Sequence, residues 1–315
     1  MSFDVHLYFS GYAMEIVNSF LVDNNAYRLS TFAYPKEAHQ YLNLANERGK
    51  QVDMIIDSGA FTAWNVGKPV QLQDLISYND DIINTYAPQG HRFNFISLDV
   101  IPGDRGRKPT ADELFRSVEK SKDNFATLQQ HFAGRGEVLP VYHSGEDVAL
   151  RDYYMSKTNY LCLSMDQTMS ESSRVGWASR SCMDSVIEGG DYKYHGLAAT
   201  GNRMVTEVPW YSVDSSSWIT VSGMGGILWP TSAKRFKVLP CSTENPTRHE
   251  AGKHLHTLTL HERERCEDYI KSWGYDPEKL SLDYNYRRVW NCHMWLAPPW
   301  ERKLTKDADL FEGLS

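Results

Sequence analysis

Short apolar runs separated by longer amphipathic stretches dominate the first 220 residues. Asp4–Phe9, Tyr27–Phe32, Val52–Ile56, Phe93–Leu98, Val138–Tyr142, Tyr160–Ser164, Tyr194–Ala198 and Trp210–Val213 have the length and apolar content of buried strands. Helical patterns lie between most of them, among them Leu72–Tyr86, Ala111–His131 and Arg174–Ile187. In the first, Leu72, Leu75, Ile76, Ile82 and Ile83 recur at helical spacing. About eight strand–helix units are what a (β/α)8 barrel needs, and such domains run to about 250 residues. A doubly wound sheet is the alternative, but Ser10-Gly11-Tyr12-Ala13 after the first strand does not match the Gly-rich dinucleotide fingerprint. From about Pro230 the pattern changes: Pro240–His261 is polar and His-rich, Leu260–Trp273 reads as a helix, and Tyr284–Leu296 is rich in aromatics. The expected fold class is α/β, a (β/α)8 TIM barrel over residues 1–230 with a C-terminal helical and irregular appendage over 231–315 packed on it.

Composition narrows the setting. With 315 residues, 41% of them hydrophobic, the chain can bury a sizeable core. Five cysteines, Cys162, Cys182, Cys241, Cys266 and Cys292, are an odd number without regular spacing, which fits a reducing compartment better than a disulfide framework. Met1-Ser2-Phe3-Asp4-Val5 lacks the basic and apolar regions of a signal peptide, and no apolar run reaches about 18 residues, so the expectation is a cytoplasmic protein without a membrane span. The formal net charge of −7 argues against a non-specific nucleic-acid coat protein. A local basic patch that grips a short stretch of nucleic acid remains compatible with it.

Candidate chemistry gathers where strands end. Asp57-Ser58-Gly59-Ala60-Phe61 follows the third apolar run: a carboxylate, then small residues that permit a tight turn and close approach of backbone to a ligand. A single strand-end aspartate also suits a helix cap or a turn. The arrangement recurs, however, as Ser97-Leu98-Asp99-Val100-Ile101-Pro102-Gly103-Asp104 after strand four and Val141-Tyr142-His143-Ser144-Gly145 after strand five. Strand seven adds His195-Gly196-Leu197-Ala198, and strand eight Val213-Asp214-Ser215-Ser216-Ser217-Trp218. In a barrel these ends share one face. Asp57, Asp99 and Asp214 would there raise one another's pKa values unless each has its own partner, which favours acids with different tasks.

These motifs, taken in order, resemble the tRNA-guanine transglycosylase superfamily over roughly residues 50–230. Asp57–Phe61 is similar to its Asp-Ser-Gly-Gly-Phe motif, Leu98-Asp99 with Pro102 to its strand-four aspartate motif, and His195–Ala198 to its Gly-Gly-Leu-Ala segment. Asp214 stands where those enzymes carry the nucleophile, and Ser222-Gly223-Met224-Gly225-Gly226 resembles the turn that follows it. Two departures stand out. No cysteines here have the Cys-x-Cys-x-x-Cys spacing of the family's zinc site. Thr220, Val221 and Met224 replace the arginines that flank the nucleophile turn and help to read an anticodon loop. The departures point to a resemblance with phage and bacterial DNA-guanine transglycosylases, which exchange guanine in DNA for a 7-deazaguanine.

That resemblance implies that Asp214 is the nucleophile and Asp57 the general acid/base, with Asp99 accepting from the amino-pyrimidine edge of the base. His143 stands where the tRNA enzymes place a base-contacting Gln, and it suits either a base contact or a hydrogen-bonded place at the barrel mouth. Ser58, the Gly196 and Leu197 amides and Phe61 would complete the pocket, although Phe61 also suits plain core. Arg105, Arg107, Lys108, Arg203, Lys234 and Arg235 are candidates for DNA phosphate contacts. No cofactor and no metal are expected, an improvised zinc site from His249, His254, His256, His261 and Cys266 being the alternative. The implied partners are DNA and a base such as 7-cyano-7-deazaguanine, with an accessory protein or a homodimer left open and a host cytoplasm implied if the gene is a phage's. The same exchange on RNA, a nucleoside or glycoside hydrolase with the same acids, and a binding protein that kept only the barrel are the competing functions.

Overall fold

The computed structural model describes residues 5–103, 108–188, 191–199, 201–231 and 235–297. Each expected apolar run forms a strand: β1 (His6–Phe9), β2 (Tyr27–Thr31), β3 (Asp53–Asp57), β4 (Arg92–Ile96), β5 (Glu137–Leu139), β6 (Val141–His143), β7 (Tyr160–Ser164), β8 (Lys193–Gly196) and β9 (Ser212–Ser215). They pair in the order β5-β4-β3-β2-β1-β9-β8-β7-β6, every pair parallel. The two ends of this row are halves of one expected strand, divided at Pro140, which has no N–H to give a ladder. The Leu139 carbonyl accepts from Ser97 N at 2.8 Å on one side and the Pro140 carbonyl from Cys162 N at 2.9 Å on the other. The row thereby closes as a TIM-barrel-like α/β fold.

Among the described residues the helices between these strands are α1 (Glu15–Asp23), α2 (Lys36–Glu47), α3 (Ala60–Val66), α4 (Leu72–Tyr86), α5 (Ala111–His131), α6 (Val148–Met155), α7 (Glu171–Glu188) and α8 (Asn202–Glu207). The periodicity of α4 is realised as a buried stripe of Leu75, Ile76, Asn79, Ile82, Ile83 and Tyr86. α5 starts where Thr110 and Glu113 form a capping box. Inside the barrel, Tyr8, Leu29, Ile55, Ile96, Leu139, Val141, Tyr160 and Cys162 form one buried cluster.

The chain divides into two compact units, one of residues 3–12 and 22–215, the other of 13–21 and the chain from Ser216 on. The second unit contains α9 (Ser217–Gly223), the antiparallel pair β10 (Gly226–Pro230) and β11 (Phe236–Pro240), α10 (Leu260–Ser272), α11 (Pro277–Leu282) and α12 (Tyr284–Leu296). The expected boundary at residue 230 therefore falls inside this unit. The reason is α12: Asn291 accepts from Leu228 N at 2.7 Å and donates to the Trp218 carbonyl, while Trp290 donates to the Leu228 carbonyl at 2.9 Å. These bonds tie α9 and β10 to the C-terminal helix, around a core of Trp229, Phe236, Leu255, Ile270 and Trp290. Among the described residues no helix is long and apolar enough to cross a membrane.

Candidate active site

Side chains alternate across a strand, so the residue two positions beyond an inward core residue also faces the barrel axis. Tyr8, Leu29, Ile55 and Val141 belong to the interior cluster. Two positions on stand Ser10, Thr31, Asp57 and His143. The same count along β9 runs from Ser212 to Asp214. This uppermost layer lies at the C-terminal ends of the strands, the face where barrel enzymes place their sites. A cavity of about 320 Å3 opens there, lined among others by Asp57, Phe61, Asp99, His143, Leu197 and Asp214. That volume is at the small end of ligand sites (about 300–1,000 Å3) and suits one ring system rather than an oligomer.

The carboxylates sit in unlike settings. Asp57 ends β3 and caps its own turn: its Oδ2 accepts from Gly59 N at 3.1 Å, and the Thr31 hydroxyl, its register partner on β2, bonds it too. Gly59 takes φ of 74° and starts α3. A Cβ there would stand 3.0 Å from Ala33 N. Burial pushes the Asp57 carboxyl up to about 6 against those two hydrogen bonds, and the nearby Asp99 and Asp214 push it further. Cys162, fully buried among the same three acids, has its thiol pushed up by burial and by their charges.

Asp214 is instead gripped at both oxygens. Oδ1 accepts from Ala198 N at 2.7 Å and Oδ2 from Ser10 Oγ at 2.9 Å. Ala198 holds φ of 50°, a left-handed conformation rare for a residue with a Cβ. Beneath the acid runs a buried polar chain. His195 Nε2 lies 3.7 Å from Asp214 Oδ1, His195 Nδ1 is 2.7 Å from Ser212 Oγ, and that hydroxyl is 2.6 Å from the Tyr160 phenol. The Tyr160 hydroxyl is held protonated by burial.

Asp99 faces His143, whose Nε2 is 3.2 Å from Asp99 Oδ2 and whose Nδ1 is 3.4 Å from Glu146 Oε1. Burial opposes the charged imidazole, but its bonds to Asp99 and Glu146 win and push it up to about 10. At neutral pH His143 is thus a cation between two carboxylates. Both ring nitrogens are taken, so the expected contact of His143 with a base gives way to a part in holding Asp99.

The remaining expected residues divide. Phe61 is 67% exposed and lines the cavity, so it is not core. Leu197 lines it with its side chain, but its amide donates to the Leu163 carbonyl, and the amide that serves the site is that of Ala198. Ser58 and Gly196 are buried and lie off the cavity wall. Gly196 is needed for packing, since a Cβ would come within 2.6 Å of Ala199 Cβ. Ser10, Thr31, Glu146, Tyr160, Ala198 and Ser212 escaped the sequence argument. The signal was present for Ser212, a polar residue two positions before Asp214 on one strand face.

Of the basic candidates, Arg105, Arg107 and Lys234 lie outside the described residues. Arg203 is committed internally, bidentate to Glu207 at 2.8 Å with a third bond to Ser172. Lys108 and Arg235 are exposed, the latter in the second unit. Among the described residues no three His, Cys, Asp or Glu side chains form a metal-holding group. His254 is buried, caps a short 3-10 turn at Leu255–Thr257 and bonds the Ser242 carbonyl at 3.0 Å, and Cys266 is buried in the core of the same unit.

No protein-family model matches the chain, and no curated protein matches it. Among solved structures, a mutant of the O-GlcNAc hydrolase of Thermobaculum terrenum is similar at a TM-score of 0.37 and 7% identity. The likeness covers 67% of this chain and spans about half, 53%, of that one.

Proposed function

We propose that this protein is a base-exchange transglycosylase that replaces guanine in DNA with a 7-deazaguanine through a covalent aspartyl-sugar intermediate. The observation that carries this reading is the pairing, on one cavity, of a protonatable Asp57 with an Asp214 oriented by two donors. Acids whose environments push them toward different tasks are the mark of acid/base and nucleophile assignments in glycosyl transfer.

In the first half-reaction a carboxylate oxygen of Asp214 attacks C1′. The bond from C1′ to the guanine nitrogen breaks, its electron pair goes to the base, and Asp57 supplies the proton. In the second, the 7-deazaguanine nitrogen attacks C1′, Asp57 takes its proton, and Asp214 leaves as the carboxylate. Asp99, steadied at one oxygen by His143, offers the other to the N1–H and 2-amino groups that both bases share. Duplex DNA must present the target flipped out or single-stranded. DNA is favoured over tRNA by the motif comparison, because Thr220, Val221 and Met224 leave no arginine at the anticodon-reading positions.

Guanine-labelled DNA and tRNA, each incubated with and without 7-cyano-7-deazaguanine, test the assignment. Label should leave DNA beyond one equivalent per enzyme only when the acceptor is supplied. Multiple-turnover release without an acceptor would identify a hydrolase, and release from tRNA alone would make RNA the substrate. A denaturing gel should show a protein–DNA adduct that disappears in Asp214→Ala, at a rate loss of at least ~10³-fold. An undiminished adduct in that variant removes Asp214 from the mechanism.

A further inference from the structure

A second cavity, of about 820 Å3, adjoins the first. It lies between α3, the segment joining α3 to α4, the loop after β4, and α5, and the two cavities share Ala60, Asp99 and Ile101 as walls. All of it belongs to the barrel unit. Nothing in the proposed exchange of one base uses this space.

Its lining is chemically specific. Asn124, on α5, is 2% exposed, and its Nδ2 donates to the Leu98 carbonyl at 2.9 Å. Its Oδ1 is buried without a hydrogen-bond partner among the described residues, although Asn124 lines the cavity. A buried acceptor left unmatched is destabilising, and a ligand N–H that reached it would recover that cost. The Trp64 indole forms part of the wall and is fixed by its N–H donating to the Gly103 carbonyl at 2.9 Å. Phe61 stands 6.2 Å from it, ring to ring, and opens on the first cavity. Lys68 and Lys120 lie exposed on the lining, and neither is paired with a carboxylate among the described residues. A hydrogen-bond acceptor at depth, one indole wall and cations at the rim together match a nucleobase that carries an N–H and is attached to a phosphate.

Resting on the base-exchange reading, we infer that this cavity is a subsite for the nucleotide next to the exchanged guanine. It takes that nucleotide's base with an N–H on Asn124 Oδ1 and its phosphate beside Lys68 and Lys120. The enzyme then holds two adjacent nucleotides, unstacked from each other, with Asp99 and Ile101 between them.

The test is binding, measured by calorimetry on single-stranded dinucleotides that join deoxyguanosine to thymidine, to 3-methylthymidine or to an abasic residue, with the neighbour on the 5′ or the 3′ side. Thymine has a single N–H, and methylation removes it. On one of the two sides thymine should bind about tenfold tighter than its methylated or abasic counterpart. That gain should vanish in Asn124→Leu and in Val66→Trp, which places a large ring on an exposed cavity residue and leaves Asn124 intact as a check on folding. Equal affinity for all three dinucleotides on both sides overturns the subsite. So does a gain untouched in a folded Val66→Trp, or a Val66→Trp protein that changes only its choice among 7-substituted bases. A thymine-dependent gain in a protein without exchange activity would keep the subsite and remove the base-exchange reading, so the two fail separately.

Discussion

An aspartate that gives up and recovers a proton near neutrality needs a carboxyl well above its usual value near 4, and the surroundings of Asp57 push it to about 6. The folded protein therefore holds this proton more tightly than the unfolded chain does. Its contribution to stability is complete below about pH 4 and is lost as pH rises to about 6. Asp57→Asn cannot ionise, so it should be more stable than wild type at pH 8 by about 3 kcal/mol, the gap closing below pH 4 in denaturant titrations. In the same variant adduct formation should fall by ~10²-fold, and the wild-type single-turnover rate should drop as pH rises through about 6. A second residue-scale expectation concerns His195. Tyr160 keeps its proton, and donation of that proton to Ser212 Oγ would leave the serine's own hydrogen for His195 Nδ1. That arrangement would put the ring proton on Nε2, 3.7 Å from Asp214 Oδ1. Nitrogen-15 NMR should find the Nε2–H tautomer in wild type and lose it in Ser212→Ala; an Nδ1–H signal in wild type contradicts the chain's direction.

At the scale of elements, the turn from β3 into α3 shows how a local rule becomes a site. Asp57, Ser58 and Gly59 form a turn in which the acid's own side chain accepts the Gly59 amide, while the left-handed glycine lets α3 start at once. Gly59→Ala should cost about 1–2 kcal/mol for the positive φ, with further strain because its Cβ would press on the Ala33 backbone. The chevron or equilibrium midpoint should shift accordingly, and activity should fall with it because Asp57 loses its cap. Turn chemistry of this kind was readable in Asp-Ser-Gly. The division of the fifth strand at Pro140 was readable only in part: a proline stood in the expected apolar stretch, but whether it ended a sheet or sat at a closing seam depended on β4 and β7 lying on either side.

For the whole molecule, burial gives a direct check on the fold. Cys162, Cys182, Cys241, Cys266 and Cys292 are all buried, spread over both units. A thiol reagent at pH 8 should modify none of the five in the native protein and all five in guanidinium; fast native labelling of Cys162 would mean that the barrel floor is open. The division into units was the least legible level. Composition shifts near residue 230, yet α9 and β10 precede that point and belong with α12 through Asn291 and Trp290, bonds between residues more than sixty positions apart. What the sequence determined by itself was local: strand and helix periods, small residues at the turns, and an aspartate at the end of three strands, each written within a window of a few residues. Only the closed barrel decided which of those aspartates is hemmed in enough to hold a proton, that His143 would be a cation spent on Asp99 and Glu146, that Ser10 would reach Asp214, and that Ser212 would join Tyr160 to His195. Those properties come from burial and from contacts across strands far apart in the chain, and no window of sequence contains both partners.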